Sequence, residues 1–581
     1  MRRIFVGLLA VIGAISLLSM VGLIAGLWWA FGAFLEEDPL PESFVLALEI
    51  SDEIPEASPN DAIAAFWPTQ AELGLVDLVD AIDQAAGDDR VKGLVADLSG
   101  AAPGFAQTQE LRAAVFRFRA TGKTAVAFAD SFESGAGGYY LASAFDQIWM
   151  QPSGLLGLTG LSMELPLARG LMDKIGLLPE FESRYEYKGA MSFLTDREFP
   201  PALRENYTRI AESLYAQMVS GIASARRMSG NNVSDVIDGG PLLAGEAANN
   251  GLIDGLGYAR EAELLATGGT LETVGAGQYL ASAGHPHAEG VRIALLHLDG
   301  QIDRGDDGPL ERQRFAGSVN FDRAVDEILE DDEVRAVILR ISSPGGSFVA
   351  SDTMRRAVLR LREADLPVIA SFGDMAASGG YYAALPATHV LAHPGTLTGS
   401  IGAVGGKISG AGLLDEMDVA IGRVEIGDNA GIYSVTRPFT QSQSLRMKRI
   451  LDSIYDDFTT KVGTARNLKQ DEVDALARGR VWTGEDARRV GLVDGLGGYS
   501  EALQLARQSI GIAPDAPVER VRFPRDDYDT EALLGALADG DIMSAVLSLG
   551  EVARMAAVIL ETQRLGTGPL IQAEAPHMRI R

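Results

Sequence analysis

Residues 334–342 read VRAVILRIS, and residues 91–99 read VKGLVADLS. Each is a short apolar, β-branched run of the kind that fills a buried strand. The two lie 243 residues apart, and the likeness extends outward from them. LRAAVFRFR (111–119) answers MRRAVLRLR (354–362) at the same offset of 243. The glycine turns ESGAGGYY (133–140) and MAASGGYY (375–382) follow at 242, since Tyr381 minus Tyr139 is 242. GEAANNGLIDGLG (245–257) then answers GEDARRVGLVDGLG (484–497), with Gly495 minus Gly255 giving 240. Four matched blocks in one order, drifting by three residues, mark an internal duplication whose period is a whole domain rather than a solenoid repeat.

Each copy alternates strand-like and helix-like segments. After VRAVILRI, Ser351 to Arg362 carries apolar residues at helical spacing, PVIASF (367–372) is a second strand, and SGGYYAALPA opens a helix. Strands alternating with helices give parallel βαβ units with right-handed crossovers. The expected fold is therefore α/β, with two tandem domains at 41–280 and 290–512. The small-residue stretch GAGQYLASAGHPHAEG (275–290) reads as their connector, and 513–581 as a helical, amphipathic tail.

Composition narrows the function. Of 581 residues 47% are hydrophobic, enough for large cores. The net charge of -29 repels phosphate backbones and argues against a nucleic-acid partner. There is no cysteine, which excludes disulfides, thiolate metal sites and cysteine nucleophiles. From Ile4 to Leu35 no charged residue occurs, and such a run exceeds the roughly 20 residues that span a hydrocarbon core. Residues 1–40 thus read as a cytoplasmic stub and a transmembrane anchor in contact with lipid. Arg2 and Arg3 before the run and Glu36, Glu37 and Asp38 after it place the remaining mass across the membrane. A cleaved signal peptide would have a shorter apolar core, about 7 to 15 residues.

Chemistry concentrates at the glycine turns. SSPGGS (342–347) follows a strand, and its paired glycines let backbone N–H groups turn into a cavity, as an oxyanion hole requires. Ser378 sits in the second turn, where the first copy has Ala136. A serine nucleophile needs a base. None of the six histidines (His285, His287, His297, His389, His393 and His577) falls in a segment that the duplication or the glycine loops mark out, and none has metal-ligand spacing. The duplication offers Lys188 instead. SRYEYKGAMSFLTDREF (183–199) aligns with VEIGDNAGIYSVTRPF (424–439), placing Ala430 opposite Lys188. Both 188 minus 136 and 430 minus 378 equal 52. The two copies together hold one Ser and one Lys, each where its twin has alanine. If the halves face each other pseudo-symmetrically, Ser378 and Lys188 complete one site, and Ala136 with Ala430 mark its inactive mirror image.

At this level of detail the chain resembles a known family. SPGGS (343–347), MAASGGYY, LTGSIG (397–402), VWTGEDA (481–487) and GLVDGLG (491–497) are similar to the long, tandem form of signal peptide peptidase A, a membrane-anchored Ser-Lys protease of bacteria. The likeness runs from about 45 to 510. It implies a Clp protease/crotonase-like α/β fold in each repeat, four chains assembled into a bowl, and a periplasmic site on the inner membrane. It also implies Ser378 as nucleophile, Lys188 as general base and Ser400 as the hydroxyl that orients the lysine. Ser400 follows Ser378 by 22 residues, and Leu158 occupies that place in the first copy. The first copy also has GAAPGF (100–105) in place of PGG, so its own oxyanion loop is degraded.

Physical chemistry sets what such a dyad needs. A free lysine has a pKa of about 10.4, so burial has to lower it before the amine can act as a base. The N–H groups of Gly346 and Gly379 would hold the oxyanion, an acyl-enzyme would form, and no metal or cofactor is required. The expected substrates are extended apolar peptides, by resemblance signal peptides left after secretion. Two other readings use the same fold: an inactive membrane scaffold, and a crotonase-type acyl-CoA enzyme.

Overall fold

The computed structural model describes residues 40–50, 54–58, 73–133, 135–270, 272–305 and 315–525. The apolar run at 4–35 and the tail beyond 525 lie outside the described residues. Among those described, no helix is long and apolar enough to cross a membrane.

The first half builds a six-stranded sheet in the order Gly255–Leu256, Gln147–Met150, Thr124–Ala129, Val91–Asp97, Phe44–Glu49 and Glu272–Gly275, parallel throughout. The second half repeats that order with Gly495–Leu496, His389–Ala392, Val368–Ala377, Val334–Ser343, Val291–Asp299 and Val518–Phe523. Its eight-stranded sheet adds Leu397–Gly399 beside the end of Val368–Ala377, and then antiparallel Val481–Thr483. Within Val334–Ser343 the stretch Ala336–Leu339 is unbroken apolar because the strand lies in mid-sheet with both faces covered.

Two readings of the sequence change. The region from 513 was expected to begin a helical tail, yet Val518–Phe523 is a strand parallel to Val291–Asp299, the twin of Glu272–Gly275 in the first sheet. Its VERVRF sequence alternates and docks a free sheet edge, which outweighs any helical tendency of the residues after it. The stretch expected as a connector carries the helix Ala276–Ala283, held by buried Ala276, Tyr279 and Leu280.

The halves pack face to face. One core, built on Leu46, Leu94 and Tyr139 of the first repeat, continues into Ile293, Leu295, Ile338 and Ile369 on one face of the second sheet. On that same face Arg340 is fully buried and bridges Glu56 and Glu110 of the first repeat, at 2.8 Å each. Asp374 accepts the Ala106 N–H at 2.7 Å, at the N-terminus of the helix Phe105–Ala120. A further joint is an antiparallel ribbon of Leu178–Arg184 against Ala403–Ser409. The helix Pro201–Arg226 adds a two-way amide bridge from Asn206 to the backbone of Val481 and an Arg209–Asp486 ion pair at 2.8 Å. These contacts fix where each half delivers its side chains.

Candidate active site

Val368–Ala377 runs straight into the elbow that carries Ser378. Its φ of 51° and ψ of -114° are costly for a residue with a Cβ, and such strain persists only where surrounding contacts hold it. Here the Ser378 N–H donates to the Gly399 carbonyl at 2.8 Å, and the Ser378 carbonyl accepts from Tyr382 N at 2.9 Å. The elbow opens the helix Gly379–Ala384, so the Gly379 N–H has no intrahelical acceptor.

The SSPGGS loop lies against this elbow. A Cβ on Gly345 would come within 2.5 Å of Gly379 N and 2.8 Å of Ser378 Cβ, and one on Gly346 within 2.0 Å of the Ile302 carbonyl oxygen. Neither glycine has room for a side chain. Ile302 donates to the Gly345 carbonyl and accepts from Ser347 N, which leaves the Gly346 N–H outside that bridge. A Cβ built on Gly379 would stand 3.3 Å from Gly346 N, so Gly346 and Gly379 are neighbours across the elbow.

Lys188 reaches the same place from the first repeat. It follows the ribbon strand Leu178–Arg184, and a turn aims it: Tyr185 N and Tyr187 N both donate to the Arg478 carbonyl, at 3.1 and 3.2 Å, and Lys188 N donates to the Tyr185 carbonyl at 3.1 Å. Its Nζ donates to Ser378 Oγ at 2.9 Å, to the Ser400 carbonyl at 2.8 Å and to Ser400 Oγ at 3.0 Å. No carboxylate is among these partners. Lys188 is 8% exposed, and burial alone brings its pKa down to about 7. Ser400 is held by its N–H to the Arg480 carbonyl at 2.7 Å and has a φ of 50°, so both hydroxyls near the amine sit on strained backbone.

Residues that the sequence did not nominate shape the lysine's slot. A Cβ on Gly479, whose φ is +87°, would lie 2.4 Å from Lys188 N, and one on Gly402 would lie 2.5 Å from the Arg184 carbonyl oxygen and 3.1 Å from Lys188 Cδ. Gly345, one of the paired glycines of SSPGGS, plays the corresponding part beneath the serine. The only sequence signal of Gly402 and Gly479 was being glycine, which they share with 64 others. Arg478 stacks its guanidinium over Tyr185, 4.5 Å from the ring centroid, and pairs with Glu186 at 2.9 Å, tying the two loops together.

The mirror positions differ in backbone as well as in side chain. Ala136 is the first residue of its helix, and the positive φ, 107°, falls on Gly135 instead. Leu158, the twin of Ser400, is fully buried in the core. The Ala430 carbonyl accepts from Arg437 and Gln443, at 2.7 and 2.9 Å. Among the histidines, His393 contacts Glu110 at 3.1 Å and His287 faces Asp80 at 3.6 Å, so neither serves Ser378. Among the described residues no cluster of three His, Cys, Asp or Glu is placed to hold a metal ion.

A lysine amine that burial brings to a pKa of about 7, hydrogen-bonded to a serine beside the neighbouring Gly346 and Gly379, is an arrangement able to carry out acyl transfer. Comparison with known proteins points to the same chemistry. The chain is 31% identical over 455 residues to "Protease 4" of Salmonella typhi, covering 75% of this chain and 72% of that protein. It is 28% identical over 488 residues to "Serine protease SPPA, chloroplastic" of Arabidopsis thaliana, covering 81% and 71%. It is 31% identical over 215 residues to "Putative signal peptide peptidase SppA" of Enterococcus faecium, covering 37% and 62%. The model of peptidase family S49 matches twice, at residues 117–269 and 360–513, once in each repeat. The chain belongs to peptidase family S49 and is a serine peptidase built as a tandem duplication of the family's domain.

Proposed function

We propose that this chain is a membrane-anchored endopeptidase with a single Ser378–Lys188 dyad, degrading cleaved signal peptides and other extended apolar peptides outside the cytoplasmic membrane. The observation that carries the proposal is the 2.9 Å contact between Lys188 Nζ and Ser378 Oγ in a pocket with no counter-charge on the amine. Neutral Lys188 takes the hydroxyl proton as Ser378 Oγ attacks the scissile carbonyl. The N–H groups of Gly346 and Gly379 receive the developing oxyanion; one such donor is worth about 2.7 to 4 kcal/mol. The resulting ammonium, steadied by Ser400 Oγ and the Ser400 carbonyl, returns the proton to the leaving amine. Water activated by the same amine then releases the acyl group. A pKa near 7 suits both halves of that cycle.

The apolar run from Ile4 to Leu35 supports the anchor, with the two Clp protease/crotonase-like units, 41–280 and 290–512, on the periplasmic side of a bacterial inner membrane. The "signal peptide peptidase" in a relative's name supports the substrate class. Four copies form the working particle. The test is a fluorophosphonate probe on the full-length chain, followed by mass spectrometry of digested signal peptides. Labelling and internal cleavage lost in Ser378→Ala and in Lys188→Met are expected. Labelling that survives Lys188→Met unchanged rejects the dyad.

A further inference from the structure

Arg478, Gly479 and Arg480 of the second repeat touch both loops that meet at the amine. Toward the lysine, the Arg478 carbonyl accepts from Tyr185 N and Tyr187 N, and Gly479 lies against the Lys188 backbone. Toward the second hydroxyl, the Arg480 carbonyl accepts from Ser400 N at 2.7 Å, and Gly479 N donates to the Ile401 carbonyl at 2.8 Å. The side chains continue the pattern. Arg478 lies over the Tyr185 ring, 4.5 Å from its centroid, and Arg480 over the Tyr187 ring at 3.8 Å. Acids brace each stack: Glu186 and Asp474 hold Arg478 at 2.9 and 3.1 Å, and Glu205 holds Arg480 at 3.0 Å while accepting the Tyr187 hydroxyl at 2.8 Å. Alternate residues of YEYK (185–188) are thus gripped by alternate residues of RGR (478–480).

The duplication keeps the glycine of this arrangement and discards the rest. At the offset of 242, Tyr185 and Tyr187 fall on Gly427 and Asn429. With Gly484 aligned on Gly245, an offset of 239, RGR falls on Gly239, Gly240 and Pro241. Both rings and both guanidiniums stand beside the live dyad and are missing from its mirror, as Ser378 and Lys188 are. The backbone gives a second sign. Arg478 has a φ of 59°, which glycine adopts without steric cost, whereas Gly239 in the mirror has a φ of -85°. An arginine therefore sits where glycine would relieve strain, so its side chain is what the site requires. Stability is a weak reason for keeping it, because Glu186 and Glu205 have side chains 45% and 58% exposed, and ion pairs open to water contribute little.

We propose that Arg478 and Arg480 are positioning residues for the base: by clamping Tyr185 and Tyr187 they fix the Lys188 loop against the Ser400 loop, at the spacing that lets one amine reach both hydroxyls. The proposal rests on the Ser378–Lys188 dyad, and neither guanidinium is among the partners of the amine. The clamp acts through geometry rather than charge. Glu186, Asp474 and Glu205 neutralise its two cations, Asp452 pairs with Arg184 at the end of the ribbon, and burial is the sole cause of the lysine's lowered pKa. Loosening the clamp lets the loop swing and lets water reach the amine, which lowers the rate by misplacement and raises the proton affinity by rehydration.

The test uses the full-length chain and a fluorogenic peptide. Arg478→Met and Arg480→Met should each lower kcat about tenfold, and together about 100-fold, with KM changed less than about twofold. In the double variant the acid limb of kcat/KM should move up by about one pH unit. Tyr187→Leu, which leaves the Arg480–Glu205 pair in place, should reproduce Arg480→Met, and Arg480→Lys should lose less because a cation still covers the ring. If Arg478→Met does not fold, Tyr185→Leu, at a residue 38% exposed, takes its place. A clamp that is merely structural would lower the denaturation midpoint and leave kcat and the acid limb of the folded protein unchanged, and that result overturns the proposal. Lys188→Met, run alongside, separates the two levels. Activity surviving in it rejects dyad and clamp together, whereas its loss beside fully active arginine variants rejects the clamp alone.

Discussion

The pH dependence of the proposed base offers a sharp test, because burial is the one cause of its shift. Lys188 falls from an ordinary 10.5 to about 7, with desolvation unopposed by any carboxylate. That drop, at about 1.36 kcal/mol for each factor of ten in proton affinity, is a penalty of about 5 kcal/mol on the charged form in the folded protein. For activity, kcat/KM on a fluorogenic peptide should rise through a midpoint near pH 7 and fall about tenfold per unit below it, since only the neutral amine accepts a proton. For stability the sign is set by proton binding. Folded Lys188 releases its proton near pH 7, whereas the unfolded chain keeps it to about 10.5. Between those values the unfolded state binds more protons, so stability increases with pH. The penalty is complete below pH 7 and gone above about 10.5. Denaturant melts of wild type and Lys188→Met should therefore converge as pH climbs from 7 to 10. An acidic limb centred at 9 or above, or a stability difference that stays flat over this range, would refute the argument from desolvation.

Other consequences concern side chains and backbone around the site. Gly479→Ala should leave a folded protein whose kcat is down by about 100-fold, because a Cβ 2.4 Å from Lys188 N displaces the amine by a large fraction of an ångström; circular dichroism alongside steady-state rates checks this. Arg340→Met removes the guanidinium that pairs with buried Glu56 and Glu110 and should cost about 3 to 5 kcal/mol, read as a lowered denaturation midpoint. Ala136→Ser in a Ser378→Ala background should restore no turnover in a peptide assay: its strained residue is Gly135 rather than 136, and no lysine occupies position 430.

The sequence by itself determined the duplication, the α/β class and the nomination of Ser378 and Lys188, because these rest on local periodicity and on which residue types each copy retains. Periodicity reports burial along a strand or helix, and VRAVILRIS needs no partner to declare itself. It could not foresee that Val518–Phe523 completes the second sheet, since an edge strand is chosen by the free edge it meets. Nor could it single out Gly402 and Gly479 from 66 glycines, because the need for a missing Cβ exists only once Ser378 and Lys188 arrive from opposite halves. The 190-residue separation of serine and lysine is bridged by the ribbon of Leu178–Arg184 on Ala403–Ser409. Tertiary structure alone decided that meeting, and with it the desolvation that brings the amine near neutrality, for a pKa belongs to the surroundings of a side chain and not to its place in the chain.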